Sequence, residues 1–286
     1  LATVGIWSTV ASAFKISLRH LDPIQLLLCA CTVSLLVLGS ILVVQGKITA
    51  LRHLSARQYL FAAGMGVLNP FLYYIILFKA YDLLPAQEAQ PLNYTWAITL
   101  SILSVPLLGQ RLRFKEVVAI LISYAGVLII STHGQILSLN FSNPMGVTLA
   151  LTSTIIWALY WIGNTKSTID PIVGLFLNFS TALPLIFIAT LVYSQMPTLT
   201  LEAVAGGAYV GLFEMGITFV LWLTAMKYAA KPDGGGTARI ANLIFLSPFL
   251  SLILIHFLIG ETILPSTFTG LGLIVIGNAL MQYKRA

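Results

Sequence analysis

The sequence predicts an all-α integral membrane protein of ten transmembrane helices, arranged as two inverted five-helix repeats. Three observations carry that expectation. Of 286 residues, 58% are hydrophobic and 8% are charged, where a soluble domain carries roughly a quarter charged residues, so most of the surface must face lipid. Apolar runs of about 20 residues, the length that crosses a hydrocarbon core, recur along the whole chain and leave no room for a catalytic or nucleic-acid-binding module. The second half of the chain also repeats the punctuation of the first.

The apolar runs are residues 1–19, 23–45, 58–82, 85–108, 114–132, 143–165, 171–194, 201–228, 237–258 and 265–283. They read as helices because a backbone in lipid must satisfy its polar groups within each segment, and no alternating ten-residue barrel pattern occurs. Gly-, Pro- or charge-marked connections separate them: Gly46-Lys47, Gly109 to Glu116, Asn143-Pro144, Asp170-Pro171 and Lys231 to Gly236. The chain begins at Leu1 rather than Met, so a short N-terminal piece is expected to be missing. The first run lacks a small-residue cleavage site and more spans follow it, so it reads as a retained helix and not a signal peptide.

Polar residues inside the spans are the informative ones, because lipid penalises them. The first span offers Trp7, Ser8 and Lys15. Cys29 and Cys31 in the second are too close together to staple distant parts of the chain and read as packing residues. In the third, Asn69-Pro70 predicts a kink, since Pro removes a backbone hydrogen bond and clashes with the preceding turn; Tyr73 and Tyr74 follow it. In the fourth, Gln90, Asn93, Tyr94, Ala97, Ser101 and Ser104 fall along one side at steps of three or four. Ser101 and Ser104 serve equally well as glue between helices. Gln90, Asn93 and Tyr94, with the Trp96 ring beside them, are the better candidates to face a substrate. Glu88, one turn inside that span, is expected to snorkel to the interface.

The sixth span carries Thr154, Trp157, Trp161 and Asn164 at steps of three, four and three, with Tyr160 alongside. Membership of the interfacial aromatic belt is a sufficient reading of Trp161 and Asn164. Trp7 and Trp157 occupy matching places in the two halves, and shared packing is the alternative to a binding role for them. Glu214 is the acidic residue nearest the middle of any span, on one face with Gly211, Thr218 and Trp222. A carboxylate there faces water, pairs with a cation or holds a proton. Three roles therefore stay open: a counter-charge for a substrate amino group, a proton-coupling site, or a buried structural hydrogen bond. The ninth span adds Asn242 as a binding candidate. His256 there has no second imidazole or thiol nearby in sequence, and no metal site is expected.

Charge sets the orientation. With the N-terminus inside, the cytoplasmic segments hold Lys47, Arg52, Arg57, Arg111, Arg113, Lys115, Lys166, Lys227, Lys231, Arg239, Lys284 and Arg285. The external segments hold Lys15, Arg19 and Lys79. Twelve against three is the asymmetry of the positive-inside rule, and it also explains the net charge of +6 without an anionic partner. Both termini are thus expected in the cytoplasm, and the protein in a cell membrane of the bacterial or archaeal type.

The repeat is a matter of common order. Trp7, Phe14-Lys15 and Pro23 are followed in the second half by Trp157, Asn164-Thr165-Lys166 and Pro171. Ala80-Tyr81 closes the third span as Ala225-Met226 closes the eighth, and Leu108-Gly109-Gln110 closes the fourth as Ile259-Gly260-Glu261 closes the ninth. The unit, residues 1–135 and 143–286, holds five helices, an odd number, so the halves insert in opposite senses. Inverted repeats are the signature of alternating-access carriers with a site near the midplane. No Walker loop, dinucleotide fingerprint or HExxH is present, and Gly234-Gly235-Gly236 lacks the Lys-Ser/Thr and the strand of a phosphate loop. No paired carboxylates, His cluster or nucleophile with its base lie within the spans, so no enzyme activity and no cofactor are expected.

With the early Trp7 and Trp157 and the turns Gly109-Gln110-Arg111 and Gly260-Glu261-Thr262, the chain resembles the EamA-type branch of the drug/metabolite transporter superfamily over nearly its whole length. Within it, Leu92-Asn93-Tyr94-Thr95-Trp96 with Leu107-Leu108-Gly109-Gln110, and Ile156-Trp157-Ala158-Leu159-Tyr160 leading to Asn164-Thr165-Lys166, are similar to the bacterial aromatic amino acid exporters. Ala97 stands where those exporters carry Pro, and Gln110 where the turn usually has Glu. The resemblance implies a basket in which the first, third, fourth, sixth, eighth and ninth spans surround a central cavity. It further implies a secondary transporter that exports amino acids, aromatic ones among them, or related small metabolites. Its alternatives are an exporter of drugs or other metabolites, a nucleotide-sugar carrier served by Lys15 and Arg239, and a non-transporting scaffold or receptor. The partners expected are a small-molecule substrate and the lipid bilayer, with proton coupling through Glu214, as a monomer or homodimer and without nucleic acid.

Overall fold

The computed structural model describes residues 2–108, 114–137, 141–165, 167–229 and 246–282. Among these the regular structure is all helix, with no strand. The helices are α1 (Ala2–Ser17), α2 (Pro23–Val44), the short α3 (Ile48–Arg52), α4 (Ala56–Gly66), α5 (Tyr73–Leu83), α6 (Ala86–Asn93) and α7 (Trp96–Leu108). The rest are α8 (Phe114–Ser131), α9 (Pro144–Thr165), α10 (Pro171–Tyr193), α11 (Leu201–Tyr209), α12 (Thr218–Ala229), α13 (Leu246–Leu254) and α14 (Pro265–Gln282).

Among the described residues, five continuous stretches are long and apolar enough to cross a membrane: Pro23–Val44, Ala56–Leu83, Pro144–Asn164, Pro171–Tyr193 and Leu201–Trp222. Shorter apolar helices cover Val117–Ser131, Ser247–Ile259 and Pro265–Leu280. Leu36, Leu121, Val192 and Phe257 stand exposed on the outside, as a lipid-facing surface requires, while Phe14, Leu26, Leu27, Tyr74, Phe78 and Phe179 fill one continuous core.

Helix starts are written into the sequence. Asp22 accepts from the N–H groups of Ile24 and Gln25 at 2.8 and 2.9 Å, and Gln25 returns a bond to the Asp22 N–H. With Pro23 in the first turn this is a capping box. Ser55 and Gln58 repeat the device before α4. Asp170 caps α10 ahead of Pro171 and pairs with Lys47 at 2.9 Å. Partial burial pushes the Asp170 carboxyl up, but Lys47 and the N–H groups of Ile172 and Val173 hold it below the usual carboxylate range.

Among the described residues four spans are irregular, one of them at Ile255–Ile259, which winds wider than an α-helix after α13. The kink expected at Asn69-Pro70 is present: Asn69 leaves helical geometry at φ −150°, ψ 119°, between α4 and α5. Residues Val210–Ile217, joining α11 to α12, wind wider than an α-helix. There the Thr218 hydroxyl donates to the loosened carbonyls of Phe213 and Glu214 at 2.6 and 2.5 Å. The fourth span, read as one helix, is instead broken at Tyr94 and Thr95 into α6 and α7. Pro91 cannot donate to the helical ladder, and the Thr95 hydroxyl takes the Leu92 carbonyl at 2.8 Å, offering the chain a local alternative to the helix.

Small residues set the closest helix contacts, as in membrane bundles generally. A side chain on Gly126 of α8 would strike the Gly270 carbonyl of α14, and one on Gly270 would strike that of Gly126. Gly207 and Gly211 likewise leave no room for a Cβ against Cys29 and the Ala30 carbonyl of α2. Cys29 and Cys31 are free thiols in that packing.

Candidate functional site

Three of the irregular spans converge on one cavity of about 60 Å³. The kink between α4 and α5 aims Tyr73 into it, the α6–α7 break brings Gln90, Asn93, Tyr94 and Trp96, and the wide segment before α12 delivers Glu214. Trp7 of α1 and Trp157 of α9 complete the expected set. Trp7, Tyr73, Gln90, Asn93, Tyr94, Trp96, Trp157 and Glu214, all named as binding candidates in the sequence, therefore meet at one place. Tyr160 lines an adjoining cavity of about 100 Å³, its hydroxyl 3.1 Å from the Asn178 amide. Asn69 is fully buried at the kink and lines neither cavity. Asn242 lies outside the described residues.

Glu214 is 8% exposed. The Tyr74 hydroxyl donates to its Oε1 at 3.1 Å, while Oε2 has no hydrogen-bond partner among the described residues. The Trp7 indole faces the same carboxylate outside hydrogen-bonding geometry. Around it the rings are packed face and edge. Tyr73 stacks on Trp157 with centroids 4.5 Å apart, Trp157 meets Trp161 edge-on at 5.9 Å, and Trp7 lies 5.2 Å from Trp222. The polar side chains between the rings are fixed: Asn93 donates to Ser153 at 3.0 Å, and the Tyr94 hydroxyl donates to Ser247 at 2.9 Å. The described lining holds no Lys, Arg or His.

Sequence reasoning missed several participants. Trp161 is a wall of both cavities and not merely an interfacial ring. Trp222 is shared in the same way, and its spacing of two turns from Glu214 was the available signal. Tyr74 is 140 residues from Glu214, and no local pattern announces that contact. Lys15, considered as a cavity cation, instead donates to the Tyr81 and Leu84 carbonyls at 2.8 and 3.0 Å, capping the end of α5 as cations at helix C-termini do.

Phe14 and Tyr81, edge to face at 5.1 Å, line the first cavity. Beyond them a polar closure joins the two halves of the chain. Glu261 accepts from the N–H groups of Ala86 and Gln87 at 2.8 and 3.1 Å, the favourable place for a carboxylate at the start of a helix. The Gln87 side chain donates to the Thr262 carbonyl and accepts from the Leu264 N–H and the Thr267 hydroxyl, each at 3.0 Å. Glu88 does not snorkel. It is 1% exposed and bonded to His133 at 2.7 Å and Ser142 at 2.5 Å, because α6 is packed inside the bundle at that level. The second cavity runs the opposite way, from Trp157, Trp161 and Trp222 toward Asn164, Ser167 and Asp170.

An apolar helical bundle enclosing an aromatic cavity with one buried carboxylate has the build of a membrane-embedded carrier. The chain belongs to the EamA-like transporter family, in the drug/metabolite transporter superfamily: the family model matches residues 1–132 and again 144–283. It is 24% identical over 291 residues to an uncharacterised transporter of Archaeoglobus fulgidus, covering 99% of this chain and 97% of that one. An uncharacterised transporter of Clostridium kluyveri is 23% identical over 268 residues, covering 91% and 83%. A solved crystal structure superposes with a TM-score of 0.69 at 22% identity, over 98% of this chain and 93% of that one. The protein is thus a membrane-embedded transporter.

Proposed function

We propose that the protein is a secondary carrier exporting amino acids, aromatic ones among them, or related small metabolites, by alternating access. The observation that carries this reading is Glu214, buried with one oxygen unpartnered inside an aromatic cavity. An ammonium group completes the carboxylate, and the rings of Tyr73, Tyr94, Trp96 and Trp157 receive the side chain. The double match of the family model supports two repeats of five helices, ten in all, inserted in opposite senses. The charge asymmetry of the connections supports cytoplasmic termini. In that orientation the Glu261–Gln87 contacts lie on the external side and the Asn164–Asp170 end of the second cavity lies toward the cytoplasm.

Uptake of labelled amino acids into proteoliposomes holding the purified protein, with and without a pH gradient, tests the reading. Saturable uptake of a neutral or aromatic amino acid is expected, and Glu214→Gln should reduce it sharply while the protein still folds. Full transport by that variant removes Glu214 from the mechanism. Silence across the amino acids would move the assignment to drugs or other metabolites.

A further inference from the structure

We infer that the cavity recognises the ammonium group of its ligand rather than an amino acid as a whole, so aromatic alkylamines without a carboxylate are ligands of the same site. This rests on the carrier reading above and narrows its substrate class. Charge is the first ground. The described lining carries one carboxylate, Glu214, and no basic side chain. An ionised carboxylate only accepts hydrogen bonds. Oε1 is taken by the Tyr74 hydroxyl and Oε2 is open, so what completes the site is a donor, and a cationic donor best offsets the buried charge.

The second ground is the walls. Trp7, Trp157, Trp161, Trp222 and Tyr73 line the same space, and an aromatic face attracts a cation through its quadrupole, Trp most strongly. Rings around a carboxylate form a cage for an organic ammonium group. A third ground is what a ligand's own carboxylate would meet. Lys15 is committed to the carbonyls of Tyr81 and Leu84. The donors the described lining offers it, among them the unpartnered indole N–H groups of Trp7 and Trp161, are all uncharged. A second carboxylate would lose its water for those neutral partners and lie near Glu214 in a medium that screens like charges poorly. Removing it from the ligand should therefore strengthen binding.

The test uses the full chain in lipid nanodiscs, with tryptophan fluorescence as the readout. The probes are phenethylamine, phenylalanine and uncharged 2-phenylethanol. Phenethylamine is expected to bind at least about tenfold more tightly than either other probe, one decade in Kd. Glu214→Gln should erase its advantage over 2-phenylethanol. Glu214→Asp, which keeps the negative charge, guards against a Glu214→Gln variant that fails to fold; it should retain the advantage of phenethylamine over 2-phenylethanol. Equal or tighter binding of phenylalanine overturns the inference and leaves the amino acid carrier standing. Binding of phenethylamine without phenylalanine supports it and overturns amino acids as the cargo. Binding of none of the three overturns both.

Discussion

Tyr74 and Glu214 show how much one side chain contributes to the geometry of the cavity. Tyr74 is fully buried, and its hydroxyl is the hydrogen-bond donor fixing the carboxylate. Tyr74→Phe preserves the ring and frees the second oxygen. A hydrogen bond inside a membrane protein is worth on average about 0.6 kcal/mol, near threefold in an equilibrium. The variant should fold, with KM for the carried substrate raised by about that factor in the proteoliposome assay; an unchanged KM would mean the tyrosine only packs. Asp170 offers a pH-dependent counterpart outside the spans. Its carboxyl is held below the ordinary range by Lys47 and two backbone N–H groups. The stability this gives is present above the unfolded-state carboxylate pKa and is lost as pH falls through the folded one. Because the pair is about one-third exposed, it contributes on the order of 0.2–1 kcal/mol. Lys47→Gln should lower Tm slightly at neutral pH, and the gap should close in acid; a gap independent of pH would refute the pairing.

At the level of elements, the irregular helices supply most of the cavity. The kink after Asn69 was legible, since proline announces itself. The break at Tyr94 and Thr95 was not: a proline three residues earlier and a threonine hydroxyl each perturb a helix only mildly, and their joint effect depends on what packs around them. The wide turn carrying Glu214 is equally silent in sequence, because its extra width is taken up by Thr218, an ordinary residue at that position. Spacing along a helix nevertheless gathered Gln90, Asn93 and Tyr94 correctly, for side chains three and four apart share a face whether or not the helix later breaks. The closure between Glu261 and the start of α6 is the testable element here. With Cys29 and Cys31 replaced and a cysteine placed at Leu77, Glu261→Gln should speed labelling by a membrane-impermeant maleimide added outside the cell. Charged acceptors make stronger hydrogen bonds than neutral ones. Labelling at the parent rate would show that the closure does not control access.

For the whole molecule, lipid as solvent is what made the class readable. A chain with 8% charged residues has few other surfaces it can build, and the hydropathy of the runs follows. Which residues meet across the bundle was less readable, as Tyr74 with Glu214 and Gln87 with Glu261 show, because contacts between distant segments leave no local pattern. Burial of Glu88 was misjudged for the same reason: depth in the membrane was inferred from position in its span, while His133 and Ser142 of the connection between α8 and α9 decided it. Packing between α8 and α14 carries a prediction at this scale. Gly126→Leu forces the two helices apart at the Gly126–Gly270 crossing, and overpacking of this kind costs about 1–3 kcal/mol. The variant should lose thermal stability in detergent, whereas Gly5→Leu, at a position open to space, should not.

The five hydrogen bonds by which Glu261 and Gln87 join the halves have a thermodynamic consequence. Every group in them can be hydrated once the halves part, so each bond exchanged for water shifts the balance by only about 0.5–1.5 kcal/mol. The closed and parted forms then differ by a few kcal/mol, comparable to the roughly 5.5 kcal/mol that carries a two-state equilibrium from 1:99 to 99:1. A cargo that binds one form more tightly than the other is enough to tip such a balance. In the secondary carrier proposed above, the concentration difference of the cargo would then suffice to drive turnover.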